Sequence, residues 1–177
     1  MKIYFIRHTA VDVPAGYAYG QTDVNTKASF TEEAQCVKRK IETIQFDQVW
    51  SSPLSRCSKL ASFCGFPNAI KESRIMEINF GEWEMKTWEE ISADPRSEKW
   101  FNDWVNTPIP QGESLQNQYD RVKDFLDTIR GEKYNNVCLF THGGVLACAR
   151  VYIGEISLKE ALNKVPPYGT VMPIEFP

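Results

Sequence analysis

Only two histidines occur among the 177 residues, and each stands just past a short apolar run. His8 follows Lys2–Ile6 and has Arg7 before it; His142 follows Val137–Phe140 and has Gly143-Gly144 after it. A second arginine of interest, Arg56, closes Ser51-Ser52-Pro53-Leu54-Ser55-Arg56, where another apolar run (Phe46–Trp50) gives way to a helical pattern. A single histidine or arginine of this kind is usually a satisfied core group or a solvated charge. Two of each, all just beyond extended segments, form a set that one rim of a sheet could bring together. The chemistry such a set suits is that of a phosphate dianion. Guanidinium groups offer paired donors matched to phosphate oxygens and stay charged at any working pH. A neutral imidazole nitrogen is a nucleophile able to split one displacement into two. A Gly-Gly helix start adds backbone N–H groups and a favourable dipole, although Gly-Gly alone more often marks a turn. An acid for the leaving oxygen is also needed. Glu77, in Met76-Glu77-Ile78-Asn79-Phe80-Gly81, is a candidate, and Glu82 and Glu84 are close by. Spacing alone does not choose among the three, although a surface carboxylate is the plainer reading of Glu82 and Glu84.

The elements that would position these groups follow from periodicity. Lys2–Ile6, Phe46–Trp50, Ala69–Lys71 and Asn136–Thr141 read as strands, the first as buried on both faces and the last as another apolar one. Val171–Phe176 reads as an edge strand, the position where Pro173 is tolerated. Thr9–Lys27, rich in Gly, Pro, Asp and Asn, reads as a long loop, and long loops are commonly functional. A helix is expected from Ser29, which with Glu32 resembles a capping box, with Phe30, Ala34, Val37, Ile41 and Ile44 on one face. Further helices are expected over Leu54–Cys64, from Ser114 with Leu115, Tyr119, Val122, Leu126 and Ile129 inward, and from Gly143 to about Ile153. Residues 82–112, with Trp83, Trp88, Trp100, Phe101 and Trp104 among many charges, read as a helical insertion closed by the prolines and glycine of Asn106–Gly112. Strands alternating with helices predict an α/β protein: a three-layer α/β/α sandwich on a mostly parallel sheet, in one domain over 1–177. In such a sheet, ligands bind beyond the carboxyl ends of the strands. Both histidines and both arginines lie there.

Bulk properties narrow the partners. Hydrophobic residues make up 42%, enough for a sizeable core, and the net charge is -3 with a pI near 5.5. There is no basic patch to bind nucleic acid or an anionic membrane, so the expected partner is a small phosphomonoester held by locally concentrated positive charge. No stretch approaches the ~18 apolar residues of a spanning helix, and the apolar start ending at Arg7-His8 is too short for a signal segment. Cys36, Cys57, Cys64, Cys138 and Cys148 are odd in number and form no CxxC, which fits free thiols in a reducing, cytoplasmic setting. The oligomeric state is not legible.

Arg7-His8-Thr9, Ser52-Pro53-Leu54-Ser55-Arg56, Glu77 through Glu84, Gly112-Glu113-Ser114 and Thr141-His142-Gly143-Gly144 occur in that order. As an ordered set over roughly residues 1–150 they resemble the histidine phosphatase superfamily, which includes the cofactor-dependent phosphoglycerate mutases. The resemblance implies a phosphoglycerate mutase-like fold and a metal- and cofactor-free reaction through phosphohistidine. By it, His8 is the nucleophile; Arg7, Arg56 and His142 bind the phosphoryl oxygens; and Glu77, four residues before the Gly of Phe80-Gly81, acts as acid and then base. Thr9, Gly20, Gln21 and Gly143 are expected to bind phosphate or substrate. Tyr19-Gly20-Gln21-Thr22-Asp23-Val24, Phe46-Asp47-Gln48-Val49 and Phe80-Gly81-Glu82-Trp83-Glu84-Met85 resemble the α-ribazole phosphatase branch, which acts on α-ribazole 5′-phosphate in cobalamin nucleotide-loop assembly. The tryptophans of the insertion would then either stack on a benzimidazole-like base or only pack against one another. Many relatives carry Gly-Glu after the Arg-His pair, where this chain has Thr9-Ala10; Val13 and Pro14 stand where an Asn often follows. These departures favour a hydrolase over a mutase.

Other classes of phosphate chemistry lack their signatures: there is no GxxxxGK[ST] loop, no DxDx[TV] and no Cys-x5-Arg. Two histidines are few for a hydrolytic zinc site unless carboxylates complete it. A broad-specificity phosphatase, a mutase-like enzyme and a non-catalytic phospho-ligand binder remain as alternatives.

Overall fold

A computed structural model describes residues 1–176. Five strands, β1 (Lys2–Arg7), β2 (Gln48–Ser51), β3 (Ile70–Lys71), β4 (Asn136–Thr141) and β5 (Val171–Glu175), form one sheet in the order β3-β2-β4-β1-β5. All neighbours pair parallel except β5, which runs antiparallel along the β1 edge. Pro173 sits on that edge strand, opposite Tyr4, where its missing N–H costs no ladder bond. The two central strands, β1 and β4, are in register from Lys2↔Asn136 to Arg7↔Thr141. His8 and His142 are therefore the next residues on neighbouring strand ends.

Side chains alternate between the two faces of the sheet, as the twofold strand period requires. Ile3, Phe5, Val137 and Leu139 pack with α5 (Leu115–Arg130) and α6 (Gly143–Tyr152). Ile6, Cys138 and Phe140 pack on the opposite face with α1 (Phe30–Ile41) and α2 (Ser55–Phe63). This is the expected sandwich. Covering helices on both faces explain why β4 reads as an uninterrupted apolar run. α5 begins with a capping box in which the Ser114 hydroxyl accepts from Asn117 N.

The expected Ser29–Glu32 box does not form. Ser29 has helical backbone angles and no side-chain cap; its hydroxyl donates instead to Glu33 Oε1 at 2.6 Å, and Glu33 Oε2 accepts from Ala10 N at 2.8 Å. The start of α1 thus ties down the long loop. That loop is not structureless: it makes bridges Val11↔Thr26 and Tyr17↔Thr87, and buries Val11, Ala18 and Val24. Residues 82–112 hold two short helices, α3 (Trp88–Ala93) and α4 (Ser97–Asn102), after a 3-10 turn at Gly81–Trp83. Trp83, Ile91, Trp100 and Ile109 make a small core of their own with Ala18 and Ile78. Two further 3-10 turns, Ser73–Ile75 and Leu158–Lys164, had no counterpart in the expectations. No helix among the described residues is long and apolar enough to cross a membrane.

Candidate active site

Beyond the carboxyl ends of β1 and β4 the two imidazoles meet with ring centroids 5.2 Å apart, both almost wholly buried. His8 is held by its own chain. Its N–H bonds to Thr141 O, its carbonyl accepts from Gly169 N, and its ring Nδ1 lies 2.8 Å from Thr9 O. A carbonyl only accepts, so the ring proton sits on Nδ1 and Nε2 keeps its lone pair. Arg56 Nε donates toward that lone pair at 3.3 Å. Burial, then the Arg56 charge, then Arg7 drive the His8 pKa down from 6.5 to about 3, against the Thr9 hydrogen bond. The neutral, nucleophilic form is thus the resident one at neutral pH. His142 is pushed well below the usual range by burial first and then, in decreasing order, by the charges of Arg56, His8, Arg121 and Arg7. Its Nε2 lies 2.8 Å from Ser52 Oγ and 3.4 Å from the Cys57 thiol.

The two arginines are fixed by carbonyls and aromatic faces. Arg56, fully buried at the start of α2, donates to Gly20 O at 2.5 Å and Thr22 O at 3.0 Å, and lies 5.5 Å from the Tyr19 ring centroid. Arg7 donates to Pro166 O and lies 4.0 Å from the Tyr168 ring centroid, with Nε buried and unpartnered. The Tyr19 and Tyr168 hydroxyls bond to each other at 2.5 Å, and Tyr168 also faces the His8 ring.

Glu77 comes to the same place from the segment after the Ser73–Ile75 turn. Its Oε1 accepts from Ile78 N at 3.0 Å and Gln118 Nε2 at 2.8 Å, whereas Oε2 accepts only from Gly144 N at 3.1 Å. Oε2 is therefore the oxygen with spare capacity to take or give a proton. A cleft of about 230 Å³ opens here, walled by Arg7, His8, Glu77, Gln118 and Gly144 on its polar side and by Tyr19, Ile78, Phe80, Leu162, Val165 and Tyr168 on its apolar side. Arg56 and His142 lie beneath this wall, in contact with or beside His8. The arrangement can hold a phosphoryl group against a neutral imidazole with a carboxylate across the cleft. Among the described residues no three His, Cys, Asp or Glu side chains converge as metal ligands.

Residues 3–176 match the histidine phosphatase superfamily (branch 1). The chain belongs to that superfamily. It is 27% identical over 155 residues to the adenosylcobalamin/alpha-ribazole phosphatase of Escherichia coli K12, covering 83% of this chain and 76% of the relative. It is 30% identical over 143 residues to phosphoserine phosphatase 1 of Hydrogenobacter thermophilus, covering 76% and 67%. Among solved structures, the phosphoglycerate mutase from Thermus thermophilus superposes with a TM-score of 0.79 at 28% identity over 100% of this chain and 94% of its own. The alpha-ribazole phosphatase from Shigella flexneri superposes at 0.90 and 22% identity over 100% and 91%, a likeness of fold. Phosphatase activity is what the family match and these relatives support.

Within this histidine phosphatase, several expected contacts fall elsewhere. Thr9, Gly20, Gln21 and Gly143 do not line the cleft. Thr9 serves through its carbonyl, on His8, while its buried hydroxyl has no partner. Gly20 has both backbone groups committed, and Gln21 its N–H and its side-chain NH2. Their N–H groups go to Glu84, Gly20 O holds Arg56, and Gln21 Nε2 donates to Glu77 O. Gly143 makes room: a Cβ there would come within 2.9 Å of Arg7 Cζ and 2.4 Å of Val165.

Glu84 is not the surface carboxylate expected of it. Oε1 accepts from Gln21 N and Phe80 N, and Oε2 from Gly20 N, Thr22 N and the Thr22 hydroxyl, at 2.6–3.2 Å. Burial raises its pKa, but the Thr22 hydroxyl and the three N–H groups of Gly20, Gln21 and Phe80 outweigh burial and leave it below the ordinary value. Glu84 therefore clamps the very turn whose carbonyls hold Arg56. Glu82, by contrast, is a half-exposed partner of Arg96, as expected. A second clamp is Arg121. It pairs with Glu113 and donates to the carbonyls of Arg74, Met76 and Glu77, fixing the segment that delivers Glu77.

Proposed function

We propose that this protein is a phosphomonoesterase that works through a phosphohistidine on His8, with α-ribazole 5′-phosphate as its substrate. The observation that carries the chemistry is the His8 ring: Nδ1–H held by Thr9 O, Nε2 unprotonated and facing Arg56 in a cleft shared with Glu77. Nε2 attacks phosphorus, and the P–O bond to the alcohol breaks. The leaving oxygen takes its proton from Glu77 Oε2. Arg7, Arg56 and His142 hold the three remaining oxygens, where charge concentrates in a loose transition state. Water then attacks phosphorus and gives a proton to Glu77. The N–P bond breaks, its electron pair returns to Nε2, and inorganic phosphate departs.

The substrate reading is supported by the relative named an alpha-ribazole phosphatase and by the cleft wall. Beyond Arg7, Glu77 and Gln118, that wall is apolar and aromatic. Arg7 is its one cation, and it is needed by the phosphoryl group. A phosphoserine or phosphoglycerate carboxylate would meet no second one. Five unpaired cysteines, four of them buried, support a reducing, cytoplasmic setting.

The test is phosphate release, with EDTA present, from α-ribazole 5′-phosphate, phosphoserine, 3-phosphoglycerate and p-nitrophenyl phosphate. Release that vanishes in His8→Ala and ranks α-ribazole 5′-phosphate first is the expected result. Glu77→Gln should be slow on the alkyl esters and less impaired on p-nitrophenyl phosphate, whose leaving group needs no proton. Release that persists in His8→Ala would overturn the mechanism. A first rank for phosphoserine would overturn the substrate.

A further inference from the structure

Each of the two site arginines has a tyrosine ring against it. The Tyr168 ring centroid lies 4.0 Å from Arg7 Cζ, and the Tyr19 ring centroid 5.5 Å from Arg56 Cζ. Both distances are within reach of a cation–π contact. The same two tyrosines, one from the loop after β1 and one from the turn that leads into β5, are joined through their hydroxyls at 2.5 Å. Arg56 and His142 are wholly buried, His8 almost so, and neither Arg56 nor His142 contributes to the cleft wall. A phosphoryl group lying in the cleft as it stands meets Arg7, His8 and Glu77, but not the other two groups that the proposed reaction uses. On the wall, Tyr19 is the aromatic cover of Arg56, and Tyr168 that of Arg7 and of the His8 ring.

The backbones beside both tyrosines are pinned. Ala18 donates to Lys86 O and accepts from Met85 N, and Gly20 is held by Glu84 and Arg56. Gly169 donates to His8 O, and Thr170 O accepts from Arg7 N. Each ring therefore leaves its arginine by turning about its own side-chain bonds, and the hydroxyl bond is what resists the turn. Tyr168 is 40% exposed and has solvent to turn into. Burial, and then the bond to Tyr168, raise the Tyr19 pKa against the pull of both arginines. Tyr19 is thus a neutral phenol at neutral pH and not a phenolate counter-ion. It covers a cation without cancelling it.

We propose that Tyr19 and Tyr168 form a side-chain latch that competes with phosphate for Arg7 and Arg56, so that a phosphoryl group binds at His8 only when the hydroxyl bridge breaks. The inference rests on the phosphomonoesterase reading for the place where phosphate binds. The latch makes the two tyrosines determinants of how tightly the site holds phosphate, a role separate from proton or phosphoryl transfer. It weakens the hold on ester and product alike, and so favours clearance of an inorganic phosphate that two arginines would otherwise retain.

Tyr19→Phe, Tyr168→Phe and the double variant keep both rings and remove the bridge. Calorimetric titration with inorganic phosphate is expected to give a Kd about fivefold lower in each single variant, the scale of one neutral hydrogen bond. The double variant should go no lower, because losing either hydroxyl already breaks the bond. The KM for p-nitrophenyl phosphate should fall by the same factor, since the bridge is broken equally in every bound state. A tyrosine that only supported the fold, or whose hydroxyl bound the phosphoryl oxygens, would weaken phosphate binding when changed to Phe. Binding that is unchanged, weaker or undetectable in both single variants would therefore overturn the latch, and so would single effects that add in the double variant. Turnover of p-nitrophenyl phosphate by the wild type would show that the phosphatase reading survives such a result. Its absence would remove that reading, while the phosphate titration would still judge the latch.

Discussion

The neutral His8 that the proposed chemistry requires should also be visible in stability. Its pKa falls from 6.5 to about 3 on folding, through burial first and the Arg56 charge second. Between those two pH values the unfolded chain binds a proton that the folded chain refuses. Stability therefore decreases as pH falls below 6.5, and the loss stops growing below about 3. A one-proton difference costs about 1.4 kcal/mol for every pH unit it spans, so at pH 4 this one residue removes about 3 kcal/mol. That is a large share of the roughly 5–15 kcal/mol that holds a typical domain together. His142 acts in the same direction, and so do carboxylates held below their ordinary values, so the wild-type curve alone is not diagnostic. The informative quantity is a difference. His8→Asn can keep a donor toward Thr9 O but has nothing to titrate. Urea unfolding of both proteins at pH 7, 5.5 and 4 should show the wild type losing about 3 kcal/mol more than the variant between pH 7 and pH 4. Equal losses in the two proteins would refute the reasoning, because they would mean that His8 titrates in the folded state as it does in the unfolded one.

Three further substitutions probe the supports of the site. Glu84→Gln places an amide NH2 against N–H donors of the Gly20–Thr22 turn; stability should fall by about 2–3 kcal/mol in urea melts, and kcat/KM by about tenfold to a hundredfold as Arg56 loses its alignment. Gly143→Ala drives a methyl toward Val165 and the Arg7 guanidinium. Its overpacking should cost about 1–3 kcal/mol, and kcat should fall about a hundredfold in steady-state assays because Arg7 is displaced. Arg121→Met removes the ion-pair partner of Glu113, the side-chain donor to the carbonyls of Arg74 and Met76 and one of the two donors to Glu77 O; it should cost about 3 kcal/mol and slow alkyl phosphates more than p-nitrophenyl phosphate, since the segment it loosens carries Glu77.

The parts of this protein legible in the sequence are those with a period or a rare residue type. β1 and β4 show as apolar runs because both faces are covered. α1 shows through Phe30, Ala34, Val37 and Ile41, all buried. Two histidines in the whole chain, each past a strand end, needed only the parallel topology to bring them together. Illegible were the groups whose partners are backbone atoms delivered by a fold. Glu84 binds four N–H groups and a hydroxyl from two loops, and nothing in Glu-Trp-Glu distinguishes it from Glu82. Ser29 sits at a helix start beside both Glu32 and Glu33, and spacing favoured the wrong one because the chain geometry there is already helical. Gln118 did leave a signal. It lies three residues after Leu115 and four before Val122, a core position on α5, and a polar residue there implies a buried partner, which is Glu77.

Charge explains why the supports are so extensive. Among the described residues neither Arg7 nor Arg56 forms an ion pair with a carboxylate. Arg56 is fully buried, and the Arg7 Nε is buried without a partner. Removing a cation from water without a counter-ion is costly, and a neighbouring acid would relieve the strain only by occupying the place a phosphate needs. The chain instead surrounds its arginines with groups that stabilise positive charge without cancelling it: the carbonyls of Gly20, Thr22 and Pro166, and the faces of Tyr19 and Tyr168. Carbonyls on loops hold an arginine only if the loops are themselves held, and Glu84 supplies that for residues 20–22. The one acid that reaches the cleft wall, Glu77, is turned toward the N-terminus of α6 by Gly144 and Gln118 rather than toward either arginine. Two cations therefore stand beside two neutral imidazoles without a carboxylate partner, which is the arrangement that the proposed binding of a phosphate dianion requires.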